Sequence, residues 1–196
     1  MAERELSPTR LEAISDGVIA VAITIMVLEL HAPHDATPGA LLALWPEFAS
    51  YVVSFAFIAT YWMNHRYLCR HMRRVDERVL WTNMVLLFLL SLIPFATAYV
   101  GTTDIAVFPT AFYAGVMLAN GVIYGALDAA IRAQHPPGER PPAFGRRTRL
   151  INLGAGVTYA LAIPAAYLSP ILSLAMNFAV SVVYMTPWAR PEAPGA

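Results

Sequence analysis

The sequence predicts an all-α, polytopic membrane protein with six transmembrane helices and both termini on the cytoplasmic side. Three observations carry this prediction. Of 196 residues, 58% are hydrophobic and 13% charged, with a mean hydropathy of +0.54. A soluble domain holds about 25% charged residues, so this surface calls for lipid as its solvent. The apolar residues gather into six runs of about 17–25 residues, the length that crosses the hydrocarbon core as a helix. All 13 basic residues are Arg, and six spans place every one of them on the same side of the membrane.

Span one covers about 14–30. It is entered through Arg10-Leu-Glu-Ala-Ile14-Ser15-Asp16-Gly17 and closed by His31-Ala-Pro33. It lacks a small-residue cleavage site and is long enough to cross, so it reads as a span rather than a signal peptide. Span two, about 48–68, ends in Tyr61-Trp62-Met63-Asn64-His65-Arg66. Span three, about 79–100, begins near Trp81-Thr82-Asn83 and contains Pro94. Span four covers about 106–131 and span five about 150–168, the latter with Pro164 inside it. Both prolines are expected to kink their helices. Span six starts after Ser169-Pro170 and covers about 171–188. Residues 1–190 thus form a single six-helix membrane domain, and 191–196 read as a disordered tail. Strands are excluded because the runs are continuous rather than alternating. Trp45, Trp81, Tyr99 and Trp188 lie near span ends, as an interfacial belt requires.

The charges orient the spans. Arg4 and Arg10 precede span one. Arg66, Arg70, Arg73, Arg74 and Arg78 lie between spans two and three. Arg132, Arg140, Arg146, Arg147 and Arg149 lie between spans four and five, and Arg190 follows span six. The other three connections, around 31–47, 101–105 and 169–170, carry no Arg or Lys. The positive-inside rule makes the Arg-bearing side cytoplasmic. The long connection 133–149, with Pro136-Pro137-Gly138 and Pro141-Pro142, reads as an extended loop.

Composition excludes several functions. Zero net charge gives no basic field for nucleic acid. Cys69, the sole cysteine, excludes an internal disulfide. No Ser/His/Asp grouping, metalloprotease motif, phosphate loop or carboxylate pair lies at membrane depth, so the chain does not read as an enzyme. His65 has no second intramembrane His, and no metal or cofactor is expected.

Polar groups in lipid are costly and therefore informative. Ser15 and Asp16 either cap the start of the first helix or belong to a buried polar cluster. Asn64, His65, Trp81 and Asn83 lie at the same cytoplasmic depth. They read either as members of that cluster or as residues wetted by headgroups. Arg10 is six residues before Asp16, so it does not share its face one turn away. Asn120, Asp128, Asn152 and Asn177 read as interhelical or interfacial residues, with Arg132 placed at i+4 to neutralise Asp128. Within span one, Val21, Ile25 and Leu28 share a face, with Thr24 beside them. Gly17, Ala20 and Ala22 permit close helix contact. Such a stripe, taken alone, suits packing, lipid contact or a pore lining.

The segment from Arg10 to Asp16, continued through Gly17-Val-Ile-Ala-Val-Ala-Ile-Thr-Ile-Met-Val-Leu-Glu-Leu30, resembles the R-x-x-x-F-S-D signature region of the transmembrane protein 175 family. Tyr61 to Arg66, Asn83 and Pro94-Phe95 extend the resemblance. It points to the bacterial branch of these potassium channels, with six helices per chain. The resemblance implies a homotetramer whose first helices line a central pore closed by rings of branched apolar side chains. Carried onto this sequence, the constriction falls at Val21, Ile25 and Leu28, with a threonine layer at Thr24. Arg10, Ser15, Asp16, His65 and Asn83 correspond to the network that holds the pore helix. Ile14 stands where the signature has Phe, and Val21 is small for the narrowest ring. An apolar ring offers few ligands to a bare ion, so a modest potassium preference is expected. Glu29, Asp35, Glu47 and Asp104 read as solvated surface or as a weak cation-attracting field outside.

The resulting expectation is a passive potassium-preferring channel of a bacterial inner membrane. Its partners are itself, membrane lipids and potassium as the permeant ion, without nucleic acid. The alternatives are a proton or weakly selective cation leak, and a non-conducting scaffold or carrier. A carrier would show interrupted helices around a midplane site, and span one has no such break.

Overall fold

Ser7 and Pro8 fix where the chain first turns helical. Ser7 is extended (φ −73°, ψ 149°) and its hydroxyl oxygen accepts from the Arg10 amide at 3.4 Å. Pro8 lies in the first turn, where a missing amide hydrogen costs nothing. Helix α1 therefore runs Pro8–Leu28, starting well before the apolar run. This overturns the capping reading of Ser15 and Asp16, which lie in the helix interior. The structure, a computed structural model, describes residues 7–141 and 145–186. The expected tail 191–196, the end of span six with Trp188, and Arg4 and Arg190 lie outside the described residues.

A short helix α2 (Pro38–Ala43), capped by Thr37, follows the first connection. Helix α3 (Trp45–Arg70) is 26 residues long. Asp76 then caps α4 (Glu77–Ser91) by accepting from the Val79 amide at 2.9 Å. Pro94 divides the third apolar run rather than merely bending it. Its ring cannot donate to the Leu90 carbonyl, so the chain breaks at Leu92 and restarts as α5 (Ile93–Thr102). A tight turn through Asp104 and Ile105, both at positive φ (51° and 54°), leads into α6 (Val107–Arg132). A single 3-10 turn, Pro137–Glu139, lies in the long connection. Helix α7 (Arg146–Leu168) continues through Pro164. Ser169 alone separates it from α8 (Pro170–Met185), which it caps by accepting from the Leu172 amide at 3.3 Å.

All regular elements among the described residues are helical. Four helical stretches are long and apolar enough to cross a membrane: Pro8–Leu28, Glu77–Thr102, Val107–Arg132 and Arg146–Leu168. Helix α3 is long enough but carries Asn64, His65 and Arg66 near its end. Helix α8 is apolar but has 16 residues within the described range.

Helix α1 packs on α3, α4 and α5, and α6 joins α4 and α5 to α7 and α8. The core between them holds Leu11, Ile19 and Met26 of α1 with Phe57, Leu86, Ile93, Tyr113 and Met117. Where α5 crosses the start of α3, a Cβ on Gly101 would stand 3.0 Å from Glu47 Cα, so only glycine fits without movement. Many large apolar side chains remain outside, among them Leu42, Trp81, Phe88, Phe108 and Leu168. Such a surface suits lipid rather than water.

The two Arg-rich connections are tied together. The Gln134 side-chain carbonyl accepts from the Arg73 and Arg74 amides (3.0 and 3.3 Å), and its Nε2 donates to the Arg74 carbonyl (2.9 Å). Arg73 and Glu139 add an exposed ion pair at 3.1 Å.

Candidate functional site

Helix α1 has two unlike faces. At 100° per residue, Val21, Thr24, Ile25 and Leu28 fall within an arc of about 100°. In the single chain this stripe faces outward: Val21 is 56% exposed, Ile25 43% and Leu28 69%. Ile14, Gly17 and Ala20 are exposed on the same side. Leu11, Ser15, Ile19, Ala22 and Met26 occupy the opposite face and are buried in the bundle. The Thr24 hydroxyl donates to the Ala20 carbonyl at 2.9 Å. Its only proton is thus used within the helix, and its lone pairs face outward.

Behind the stripe, polar side chains brace the N-terminal half of α1. Ser15 and Asn83 are fully buried and His65 nearly so. The Ser15 hydroxyl donates to the Leu11 carbonyl at 2.8 Å. Asn83 Nδ2 donates to Ser15 Oγ at 3.0 Å, and Asn83 Oδ1 meets His65 Nε2 at 2.8 Å. Since Oδ1 only accepts, His65 carries its proton on Nε2. Nδ1 is then the acceptor facing the Cys69 thiol at 3.6 Å. The result is one directed chain, from Cys69 through His65, Asn83 and Ser15 to Leu11, satisfied by a neutral imidazole. Buried polar groups are stabilising only when paired in this way. The next residue, Asp16, accepts from Trp62 Nε1 at 2.9 Å, and the Arg66 guanidinium lies 5.8 Å over the Trp62 ring. Ser15 thus ties α1 to α4, Asp16 ties it to α3, and His65 ties α3 to α4.

The expected cluster therefore comes together at Ser15, Asp16, His65 and Asn83. Asn64 points elsewhere, into a small cavity of about 30 Å³ with Tyr61, Tyr124, Asn152 and Tyr184. Trp81 is exposed on α4. Arg10 is exposed, and its amide, rather than its guanidinium, makes its hydrogen bonds to Ser7. Sequence reasoning passed over Trp62 as a partner of Asp16, although it stood in the quoted segment. It also missed a second buried network, in which Thr97 Oγ1 lies 2.7 Å from Ser54 Oγ and Ser54 meets the Tyr113 hydroxyl at 2.9 Å. The available signal was one polar residue in each of three neighbouring apolar runs. Asp128 meets Arg132 at 3.6 Å as the i+4 spacing requires. Asn152 accepts from the Tyr184 hydroxyl at 2.6 Å across α7 and α8, whereas Asn120 and Asn177 donate within their own helices. Among the described residues, no group of three or more His, Cys, Asp or Glu side chains is placed to hold a metal ion.

Known proteins are similar to this chain in sequence and fold. The family model described as endosomal/lysosomal potassium channel TMEM175 matches residues 10–94, the stretch that holds α1 from its third residue and the polar side chains that brace it. A protein of Chryseobacterium sp. named as a potassium channel is 34% identical, over 93% of this chain and 95% of its own length. The crystal structure of a lysosomal potassium-selective channel TMEM175 homolog from Chamaesiphon minutus superposes with a TM-score of 0.75. It has 28% identity and covers 90% of this chain and 95% of that one. The mouse endosomal/lysosomal proton channel TMEM175 is 32% identical over 56% of this chain and 22% of its own length. With its long apolar helices, near full-length relatives and shared fold, the chain is an integral membrane protein that belongs to the TMEM175 family of ion channels.

Proposed function

We propose that this protein is a potassium-preferring cation channel of a bacterial inner membrane, conducting passively through a central pore lined by α1 in a homotetramer. In this reading α3, α4–α5, α6, α7 and α8 complete six spans, with both termini cytoplasmic. One observation carries the proposal. The stripe of Val21, Thr24, Ile25 and Leu28 is left exposed on a helix whose other side is tied to its neighbours by side-chain hydrogen bonds, those of Ser15 and Asn83 buried. A helix held so firmly with its best apolar face unpartnered calls for copies of itself. Four copies would bring Val21, Ile25 and Leu28 into stacked rings about one turn apart, near 5.4 Å. Water leaves so apolar a constriction readily, which makes it a gate. The outward lone pairs of Thr24 give a passing cation its polar contact. Arg10, free of the intrachain network, is placed to meet a carboxylate of a neighbouring copy.

A second reading, proton conduction, is favoured by the mouse relative, which is a proton channel. Rings without ionisable groups give a proton no stepping stones except water, so potassium conduction is preferred. The test is ion flux from proteoliposomes of the purified chain. Potassium flux ahead of sodium is expected, with the ratio altered by Thr24→Val and the rate raised by Val21→Ala. Proton flux without potassium flux would move the assignment to the second reading. Silence with every ion from folded protein would leave a scaffold.

A further inference from the structure

A groove of about 590 Å³ runs along the seam of α6 and α7, well away from the stripe on α1. Helix α7 packs chiefly on α6 and α8. With α1 at the centre of an assembly, α7 therefore faces lipid. The groove changes character along its length. Its walls within the apolar spans are Val122, Leu153 and Val157, all exposed. Its floor is kept open by Gly125 and Gly156, where an added Cβ would meet nothing within 4 Å. Its cytoplasmic end is lined by Arg132, Arg146 and Arg149 with Asp128. Arg132 is engaged by Asp128 at 3.6 Å. Three guanidinium groups against one carboxylate leave two positive charges at the mouth, those of the exposed Arg146 and Arg149. The first turn of α7 adds to this charge. Its N-cap is Gly145, with no side-chain cap and no acidic residue in the first turn, so the amides at that end remain available to an anion.

We propose that this seam binds one anionic phospholipid of the cytoplasmic leaflet. Arg146 and Arg149 hold the headgroup phosphate, and an acyl chain lies along Val122, Leu153 and Val157 over Gly125. The site rests on the membrane orientation given above and not on which ion the pore passes. An anion-only site would need the arginines without the apolar trough, and a zwitterionic lipid would gain nothing from two uncompensated charges. Both features together select a chain-bearing anion.

The test is native mass spectrometry of the full chain in detergent with phosphatidylglycerol or phosphatidylcholine, size exclusion confirming that each variant keeps its assembly. Wild type is expected to retain phosphatidylglycerol over phosphatidylcholine. Arg146→Gln/Arg149→Gln is expected to weaken phosphatidylglycerol about thirtyfold, at roughly one surface charge's worth per arginine, and to leave phosphatidylcholine unchanged. Gly125→Leu, which fills open space without touching charge, is expected to weaken phosphatidylglycerol as well. The proposal is overturned by unchanged phosphatidylglycerol binding in the double arginine variant. It is overturned equally by displacement with millimolar inorganic phosphate combined with normal binding in Gly125→Leu, which would mark a free-anion site. Potassium flux from the same preparations reports separately on the pore, so loss of one reading leaves the other standing.

Discussion

Replacing Asn83 with Leu removes the middle link of the chain that braces α1. The two side chains are close in size and the site is fully buried, so the change tests hydrogen bonding with little disturbance of packing. At one end, Ser15 loses the Nδ2 donor at 3.0 Å but keeps its own bond to the Leu11 carbonyl. That loss is worth the usual transmembrane hydrogen bond, about 0.6 kcal/mol. At the other end, His65 Nε2–H loses an acceptor at 2.8 Å inside the bundle, and a buried donor left unpaired costs about 1–3 kcal/mol. The histidine end dominates, and the total is about 2 kcal/mol. Moving the His65 proton to Nδ1, toward Cys69, does not rescue it, because Nε2 then becomes an unpaired acceptor. His65→Phe in the same background removes the stranded group and is expected to restore at least about 1 kcal/mol. The assay is denaturant unfolding of the detergent-solubilised protein, followed by tryptophan fluorescence, for wild type, both single variants and the double. Asn83→Leu within about 0.5 kcal/mol of wild type, or single-variant losses that simply add, would refute the directed chain.

Other outcomes follow from distances already given. Gly101→Ala must push α5 from α3 by a few tenths of an ångström against Glu47 backbone, at about 1–3 kcal/mol. A lowered thermal midpoint checks this, and unchanged stability would contradict the close approach. Gln134→Ala breaks three bonds to backbone, whereas Arg73→Ala breaks one exposed ion pair, worth less than about 1 kcal/mol. Hydrogen exchange at the Arg73 and Arg74 amides should therefore quicken markedly in the first variant and only slightly in the second. Thr24→Val keeps the side-chain shape and removes the hydroxyl. It is expected to alter the potassium-to-sodium flux ratio while leaving unfolding stability near wild type, because Thr24 is exposed and bonded only within its own helix.

Much of this architecture was legible because membrane helices write themselves as length and hydrophobicity. The apolar runs correspond to helices, and residues such as Ser15, His65 and Asn83 stood out because lipid makes an unpaired polar group expensive. Periodicity placed Val21, Ile25 and Leu28 on one face, and the resemblance gave that face a role. What escaped was set by three-dimensional neighbours. Trp62 bonds Asp16 from 46 residues away, a pairing that no local spacing encodes. Trp81 shares the depth of the cluster but stands on the outer side of α4, because helical phase, not depth, decides which way a residue faces. The start of α1 was missed for a local reason. Hydropathy marks where a helix enters lipid, whereas the helix itself begins at its cap, Ser7, in a polar stretch. Pro94 announced a disturbance in the third run, but whether a proline bends or breaks a helix depends on how neighbours hold the two halves.

The polar ties of α1 are unevenly placed. Both sit in its N-terminal half, on Ser15 and Asp16. Among the described residues, the C-terminal half adds one polar approach from another helix, that of the Thr97 hydroxyl to Met26 Sδ at 3.8 Å. Mechanically, α1 is a beam pinned by hydrogen bonds in its N-terminal half and held beyond them by the apolar packing of Ala22 and Met26. Val21 lies six residues from Ser15 and Leu28 thirteen, or about 9 and 20 Å along the axis. Deflection of such a beam grows with distance from the points that hold it. The level of Val21 is accordingly the stiffer one and that of Leu28, past the last buried residue Met26, the more compliant, so a lateral force would act first on the far end of the helix.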